Sequence, residues 1–411
     1  MKNQRSYKFQ IIFLFIIIIF ISYYYIFFSN NTNNQTNNIG ASKQVNKLEV
    51  ELLVSSMTNE EKVGQLFLCA FRKDSDANNI YFLNDEARAA IEKYNLGGVI
   101  LFSENMQSIS QTKKLISQLK EIPLGVPMFI SIDSEGGLVD RLANSSLFPN
   151  LPYISKLGNT NDPNLAFEYS KIIGRRLSSL GFNLNFAPVC DLDNSDVIQY
   201  RSFGKDPNMV GKMVESYING LDKYNIGSTL KHFPGLGNSI GDTHNVMSTS
   251  NVTLDALERS DFIPFKYGIN AGSNIIMMNH VEYSNLSNIS LPASLNSDIY
   301  GILRDKLNFD GIVITDGLEM RAITKQTINT SASYAAFVAG ADMLLLPKDI
   351  DLSYKEILKA VNTGKISQER LNSSVKRIVT YKYELGLFLE NKLDINSNYL
   401  NDQKMIDKIN K

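Results

Sequence analysis

The sequence predicts an α/β fold, a (β/α)8 TIM-type barrel in a single domain, with an N-terminal transmembrane anchor. Three observations lead there. Eight short apolar runs recur between residues 65 and 347, and most are separated by helix-length segments. Each run is apolar on consecutive positions, the pattern of a parallel strand buried on both faces. Ahead of them, a basic start leads into a long stretch without charge.

Residues 1–28 are read as that basic start and a signal-anchor. "MKNQRSYK" carries Lys2, Arg5 and Lys8, and "IIFLFIIIIFISYYYIFF" (11–28) follows. At about 1.5 Å rise per residue the run just spans a hydrocarbon core of roughly 30 Å. Basic residues before it place the N-terminus in the cytoplasm and the remainder outside. No Ala-x-Ala pattern and no lipid-accepting cysteine follow, so an uncleaved single-pass anchor in the cell membrane is expected over a cleaved signal peptide. Cleavage would leave the protein secreted. "SNNTNNQTNNIGASKQ" (29–44) is polar and of low complexity, and residues 29–47 read as an Asn-rich disordered tether.

Residues 48–390 form the expected barrel. Thr58 and Glu61 in "MTNEEKVGQLF" make a capping box. The apolar runs are "QLFLCAF" (65–71), "LGGVILF" (96–102), "VPMFISID" (126–133), "FNLNFAPVCD" (182–191), "GSTLKHF" (227–233), "SNIIMMNH" (273–280), "GIVITD" (311–316) and "ADMLLLP" (341–347). Segments such as "NLAFEYSKIIGRRLSSLG" (164–181) and "SLNSDIYGILRDKL" (294–307) have the 3–4 spacing of helices. An open doubly wound sheet is the alternative, which a count of eight disfavours. "KISQERLNSSVKRIVTYKYELGLF" (365–388) reads as a closing helix on the barrel's outside, and 391–411 as a polar tail. Cys69 and Cys190 sit in the first and fourth runs, which are not barrel neighbours, so free core thiols are expected.

An apolar fraction of 44% supports a sizeable core. The 41 Lys and Arg nearly balance 42 Asp and Glu, without the basic excess of a general nucleic-acid binder.

In such barrels the chemistry gathers at the C-terminal strand ends. The third run ends in Asp133, followed by "SEGG", and the fourth ends in Asp191, with Arg201 in the "QYRSFG" that follows. The fifth ends in Lys231-His232, the sixth in Asn279-His280 and the seventh in Asp316. Charged or imidazole groups at five consecutive strand ends point to an active-site rim. His232 and His244 lack further ligands at metal spacing, so neither a metal nor another cofactor is expected. "GLGNSIG" (235–241) lacks the Lys-Ser/Thr ending of a phosphate loop, and no Gly-x-Ser-x-Gly elbow occurs.

"MTNEEKVGQLF", "IDSEGGLVDRL", "YRSFGKDP", "KHFPGLGNSIGDTH", "ERSDFIPFKYGINAG" and "GIVITDGLEM" stand in the order of glycoside hydrolase family 3. Over residues 50–390 the chain resembles that family's bacterial β-N-acetylhexosaminidases. The resemblance implies a single catalytic domain and a carbohydrate substrate bearing N-acetylglucosamine. It implies that Asp316 is the nucleophile and His244 the acid/base, assisted by Asp242. Sugar-binding roles carry over to Asp133, Arg141, Arg201, Lys231 and His232. Where the family has Gly-His-Gly, this chain has Gly235-Leu236-Gly237, which puts loop packing or substrate fit in question.

The chemistry suits these residue types. Glycosidic cleavage needs a group to stabilise charge at the anomeric carbon and a proton for the leaving oxygen. Imidazole, with an unperturbed pKa of about 6.5, donates near neutral pH without burial. Asp242 can accept its N–H and orient the ring, and Gly235, Gly237 and Gly241 give that segment freedom to close over a sugar. Glu135 and His280 are weaker candidates for the site. The expected activity is retaining exo-β-N-acetylhexosaminidase action on peptidoglycan fragments or related glycans. A β-N-acetylglucosaminide phosphorylase and a non-catalytic wall-glycan-binding barrel are the alternatives.

Overall fold

The computed structural model describes residues 47–194, 198–236, 248–320, 323, 330–389, 405–406 and 409–410. Among them, eight parallel strands form the barrel: β1 (Phe67–Cys69), β2 (Gly98–Ile100), β3 (Phe129–Ile132), β4 (Leu184–Asn185), β5 (Leu230–Phe233), β6 (Ile275–Met278), β7 (Ile312–Thr315) and β8 (Leu344–Leu345). One sheet runs β8-β1-β2-β3-β4 and the other β7-β6-β5. Parallel bridges Leu184↔Gly227 and Val189↔Lys231 join them on one side, and Ile314↔Met343 on the other. The ring therefore closes in chain order. Each apolar run of the sequence contains one of these strands.

Every residue of β1 to β8 is buried. The strands are short and their residues large: Phe67, Phe129 and Phe233 are fully covered. Each such ring contributes about 1.5–3 kcal/mol on burial. Helices outside them start where the sequence supplies caps. Asp162 and Asp206 accept backbone N–H groups at the starts of helices Pro163–Leu180 and Pro207–Asp222, each with proline in the first turn. Thr58 and Glu61 make the reciprocal capping box.

The closing helix spans Gln368–Glu384. Its Arg370 and Arg377, with Arg304, surround the buried carboxylate of Asp342 just before β8; the Arg304 contact is 2.7 Å. Buried Lys382 donates to Gln65 Oε1 (2.7 Å) and the Gly97 carbonyl (2.8 Å), at the N-terminal ends of β1 and β2. These contacts lie away from the strand ends where the polar cluster described below gathers. They hold the wall rather than the rim.

The expected transmembrane anchor is corrected. Its run, 11–28, lies outside the described residues, as do 29–46 of the expected tether. Among the described residues no helix is long and apolar enough to cross a membrane. The physical reason is plain in Pro163–Leu180, the longest of them: it carries Glu168, Lys171, Arg175 and Arg176 and covers the barrel with one face. The polar tail also differs in part, because Ile406 and Ile409 are buried in the core cluster. Cys69 and Cys190 are both buried and free.

Candidate active site at the strand ends

The chain leaves β3 through a tight hairpin, Ser134–Gly136 paired with Val139–Asp140. Gly136 adopts φ +94°, and a Cβ there would lie 1.9 Å from the Tyr169 hydroxyl, so only glycine fits. Asn185, at the end of β4, pins the hairpin: its Oδ1 accepts the Ser134 N–H (3.0 Å) and its Nδ2 donates to the Ser134 carbonyl (2.8 Å). The Tyr217 hydroxyl donates to the Glu135 carbonyl at 3.1 Å. Asp133 and Glu135, two residues apart, thereby face the same rim.

Lys231 comes to meet them from β5. Its Nζ lies 3.0 Å from Asp133 Oδ1 and 2.6 Å from Glu135 Oε1. Arg201 reaches Glu135 from the turn Gln199–Arg201 in a fork, Nε to Oε2 at 2.9 Å and Nη2 to Oε1 at 2.8 Å. Such bidentate charge-assisted pairs fix orientation as well as position. Burial works against charge on Glu135, but Arg201 and Lys231 outweigh it and hold the carboxyl well below the usual glutamate range. Lys231 is buried as well, and burial lowers the pKa of an ammonium; Glu135 and Asp133 overcome this and raise it. Arg141 stands further out, its Nη2 3.9 Å from Asp133 Oδ2 and its guanidinium over the Phe102 ring.

His232 follows Lys231 directly, yet both join the cluster. The pairing of β5 with β6 shifts register between Lys231 and Phe233, and such irregularities re-aim side chains beside active sites. Asp191 Oδ2 accepts from both the backbone N–H (3.0 Å) and Nδ1 (2.7 Å) of His232. With Nδ1 held this way, Nε2 faces Arg201 Nη2 at 3.5 Å. The second Asp191 oxygen accepts the Leu236 N–H at 2.7 Å. Leu236 is itself buried in the core, so the leucine in the family's histidine position packs here. Gly235 beside it has φ +136° and abuts Asp261. Its carbonyl takes a hydrogen bond from the Tyr283 hydroxyl, which also receives one from Asn279.

Asp316 follows β7 and is partly exposed. Its N–H bonds the Met278 carbonyl at 2.9 Å, and its Oδ1 accepts the Gly317 N–H at 2.7 Å. Burial opposes its charge, but His280, His232, the Gly317 N–H and Lys231 together hold the carboxyl below the usual aspartate value. His280 is a buried support, with Nδ1 2.7 Å from Ser294 Oγ and Nε2 3.0 Å from the Gly317 carbonyl.

Of the residues singled out from sequence, Asp133, Arg201, Lys231 and His232 thus share one connected network. Arg141 stands at its edge, and Asp316 feels the charge of the network. Asp242 and His244 lie outside the described residues. Glu135 is more central than its sequence signal suggested, and Asp191 gained no role from sequence although its strand-end position was visible. An ionised carboxylate beside a dense set of fixed donors and acceptors suits a polyhydroxylated ligand.

Residues 58–381 match the glycosyl hydrolase family 3 N terminal domain. The chain is 32% identical over 334 residues to beta-hexosaminidase A of Pseudoalteromonas piscicida, covering 74% of this chain and 56% of that protein. It is 34% identical over 277 residues to a beta-hexosaminidase of Xylella fastidiosa, covering 66% of this chain and 79% of the other. Among solved structures, a glycoside hydrolase family 3 beta-N-acetylglucosaminidase from Paenibacillus superposes with a TM-score of 0.79 at 33% identity, covering 86% of this chain and 68% of that one. The chain spans just over half the length of the Pseudoalteromonas relative.

Proposed function

The chain belongs to glycosyl hydrolase family 3, and we propose on that premise that it is an exo-β-N-acetylhexosaminidase releasing terminal N-acetylglucosamine with retention. The observation that carries this reading is a carboxylate, Asp316, held ionised at the same rim where Lys231, Arg201, Asp133 and Glu135 interlock.

In the first step an Asp316 oxygen attacks the anomeric carbon while His244 gives its proton to the departing glycosidic oxygen. The C1–O bond to the leaving group breaks as the C1–O bond to Asp316 forms. Water then attacks C1 of the glycosyl-enzyme and loses a proton to His244, and Asp316 leaves as a carboxylate. Asp242 orients the imidazole and stabilises its protonated form. Asp133, Arg141, Arg201, Lys231 and His232 bind the hydroxyls of the terminal sugar. Peptidoglycan fragments are the proposed natural source of that sugar, since their glycan strands contain N-acetylglucosamine.

Replacing Asp316 by Asn tests the mechanism. Turnover of a chromogenic N-acetylglucosaminide should fall by about 10³-fold or more; turnover near that of the unaltered protein rules the mechanism out. Products from muropeptides and chitobiose, analysed with and without phosphate, separate the remaining possibilities. Free N-acetylglucosamine in both conditions supports hydrolysis, and sugar 1-phosphate in the second assigns phosphorolysis. No multiple turnover on any of them leaves a binding protein.

A further inference from the structure

Beside the sugar-binding cluster stands a pair of aromatic rings that the reaction just described does not use. Tyr153 and Tyr200 stack with centroids 5.0 Å apart and planes 20° from parallel. Both are exposed, Tyr153 by 41% and Tyr200 by 53%. Tyr200 immediately precedes Arg201, whose guanidinium grips Glu135, so the backbone that carries Tyr200 is anchored to the cluster through its neighbour. Tyr153 is placed by the same hairpin that carries Asp133 and Glu135: a Cβ on Gly137 would meet Tyr153 Cα at 2.6 Å. Leu138, at the tip of that hairpin, is also exposed.

An exposed cluster of large apolar side chains beside a polar site calls for a ligand. The rings themselves say which kind. A tyrosine face is flat and apolar while its edge carries a hydroxyl. A pyranose ring matches it, with one face of C–H groups and a rim of hydroxyls. The cluster below already claims the terminal sugar in the proposed function, on which this inference rests. The next ring toward solvent is the one attached through the scissile bond.

We propose that Tyr153 and Tyr200 form a stacking platform for the pyranose ring of the leaving group, so that the site favours oligosaccharides over simple alkyl glycosides. One ring of the pair offers its outward face to the sugar, and its stacking on the other ring holds that face in place beside Arg201.

The test compares binding of N,N′-diacetylchitobiose and methyl β-N-acetylglucosaminide, measured by calorimetry on the full chain carrying Asp316→Asn. Both ligands offer the same terminal sugar, and only the disaccharide has a second ring. The disaccharide should bind more tightly. Adding Tyr153→Ala and Tyr200→Ala should shrink the ratio of the two affinities about tenfold, the loss of one good aromatic contact. Adding Tyr153→Phe and Tyr200→Phe instead should preserve the ratio to within about twofold, because the ring faces remain. An unchanged ratio in the alanine variant overturns the platform, as does equal weakening of both ligands, which would mean that the pair only supports Arg201. Absence of disaccharide binding by the parent overturns it as well. Failure of the hydrolase reading is a separate result, seen as lack of turnover by the unaltered protein.

Discussion

Lys231 and Glu135 lie 2.6 Å apart at the mouth of the barrel, although 96 positions separate them in the chain (231 − 135). Glu135 also takes the Arg201 fork, so one carboxylate sets two cations that the proposed chemistry needs at fixed positions.

Replacing Glu135 by Gln removes the charge and leaves Lys231 and Arg201 mutually repelling in a buried place. Stability should fall by about 3 kcal/mol, the usual scale for breaking a buried pair. The specificity constant should fall about 100-fold, because misplacing a positioning group by 1 Å costs that much. Urea denaturation and kinetics on a chromogenic N-acetylglucosaminide measure the two. Wild-type values for both would show that Asp133 alone positions Lys231.

The same carboxyl predicts an acid limit. In the unfolded chain a glutamate titrates near 4.3, whereas in the fold Glu135 is held down to about 2. Its contribution to stability is therefore fully present above the unfolded value and is lost as pH falls from about 4.3 toward 2. Denaturation midpoints between pH 7 and pH 3 should drop more steeply for the wild type than for Glu135→Gln. Parallel curves would assign the acid sensitivity to other carboxylates.

Asp191 yields a third expectation. One of its oxygens accepts two His232 N–H groups and the other accepts Leu236 N–H. Asparagine keeps only one accepting oxygen, so Asp191→Asn must strand part of this set. Sugar binding should weaken by about 1–3 kcal/mol, read as a rise in KM larger than the fall in kcat. A loss confined to kcat, with KM unchanged, would place His232 in the chemical step instead.

The strands were legible in the sequence because burial on both faces writes consecutive apolar residues, as in "IIMM" (275–278) and "IVI" (312–314). Strand-end polar residues were legible for the opposite reason: Asp133, Lys231 and Asp316 interrupt those runs where nothing apolar is required. Glu135 was harder to weigh. In "SEGG" it looks like any turn residue, and only the glycine-dependent hairpin turns it back toward Lys231. Asp191 was visible at its strand end, but its bond to His232 depends on how β4 and β5 approach, which no local pattern records. The membrane expectation for 11–28 rested on apolar length and on the basic residues ahead of it, whereas among the described residues no helix is long and apolar enough to cross a membrane.

The most direct test of the central claim is to trap the glycosyl-enzyme. A mechanism-based 5-fluoro N-acetylglucosaminyl fluoride, followed by proteolysis and tandem mass spectrometry, should place one sugar adduct on Asp316 within "GIVITDGLEM". An adduct on another side chain, or rapid turnover to inverted product with no adduct, would contradict the account.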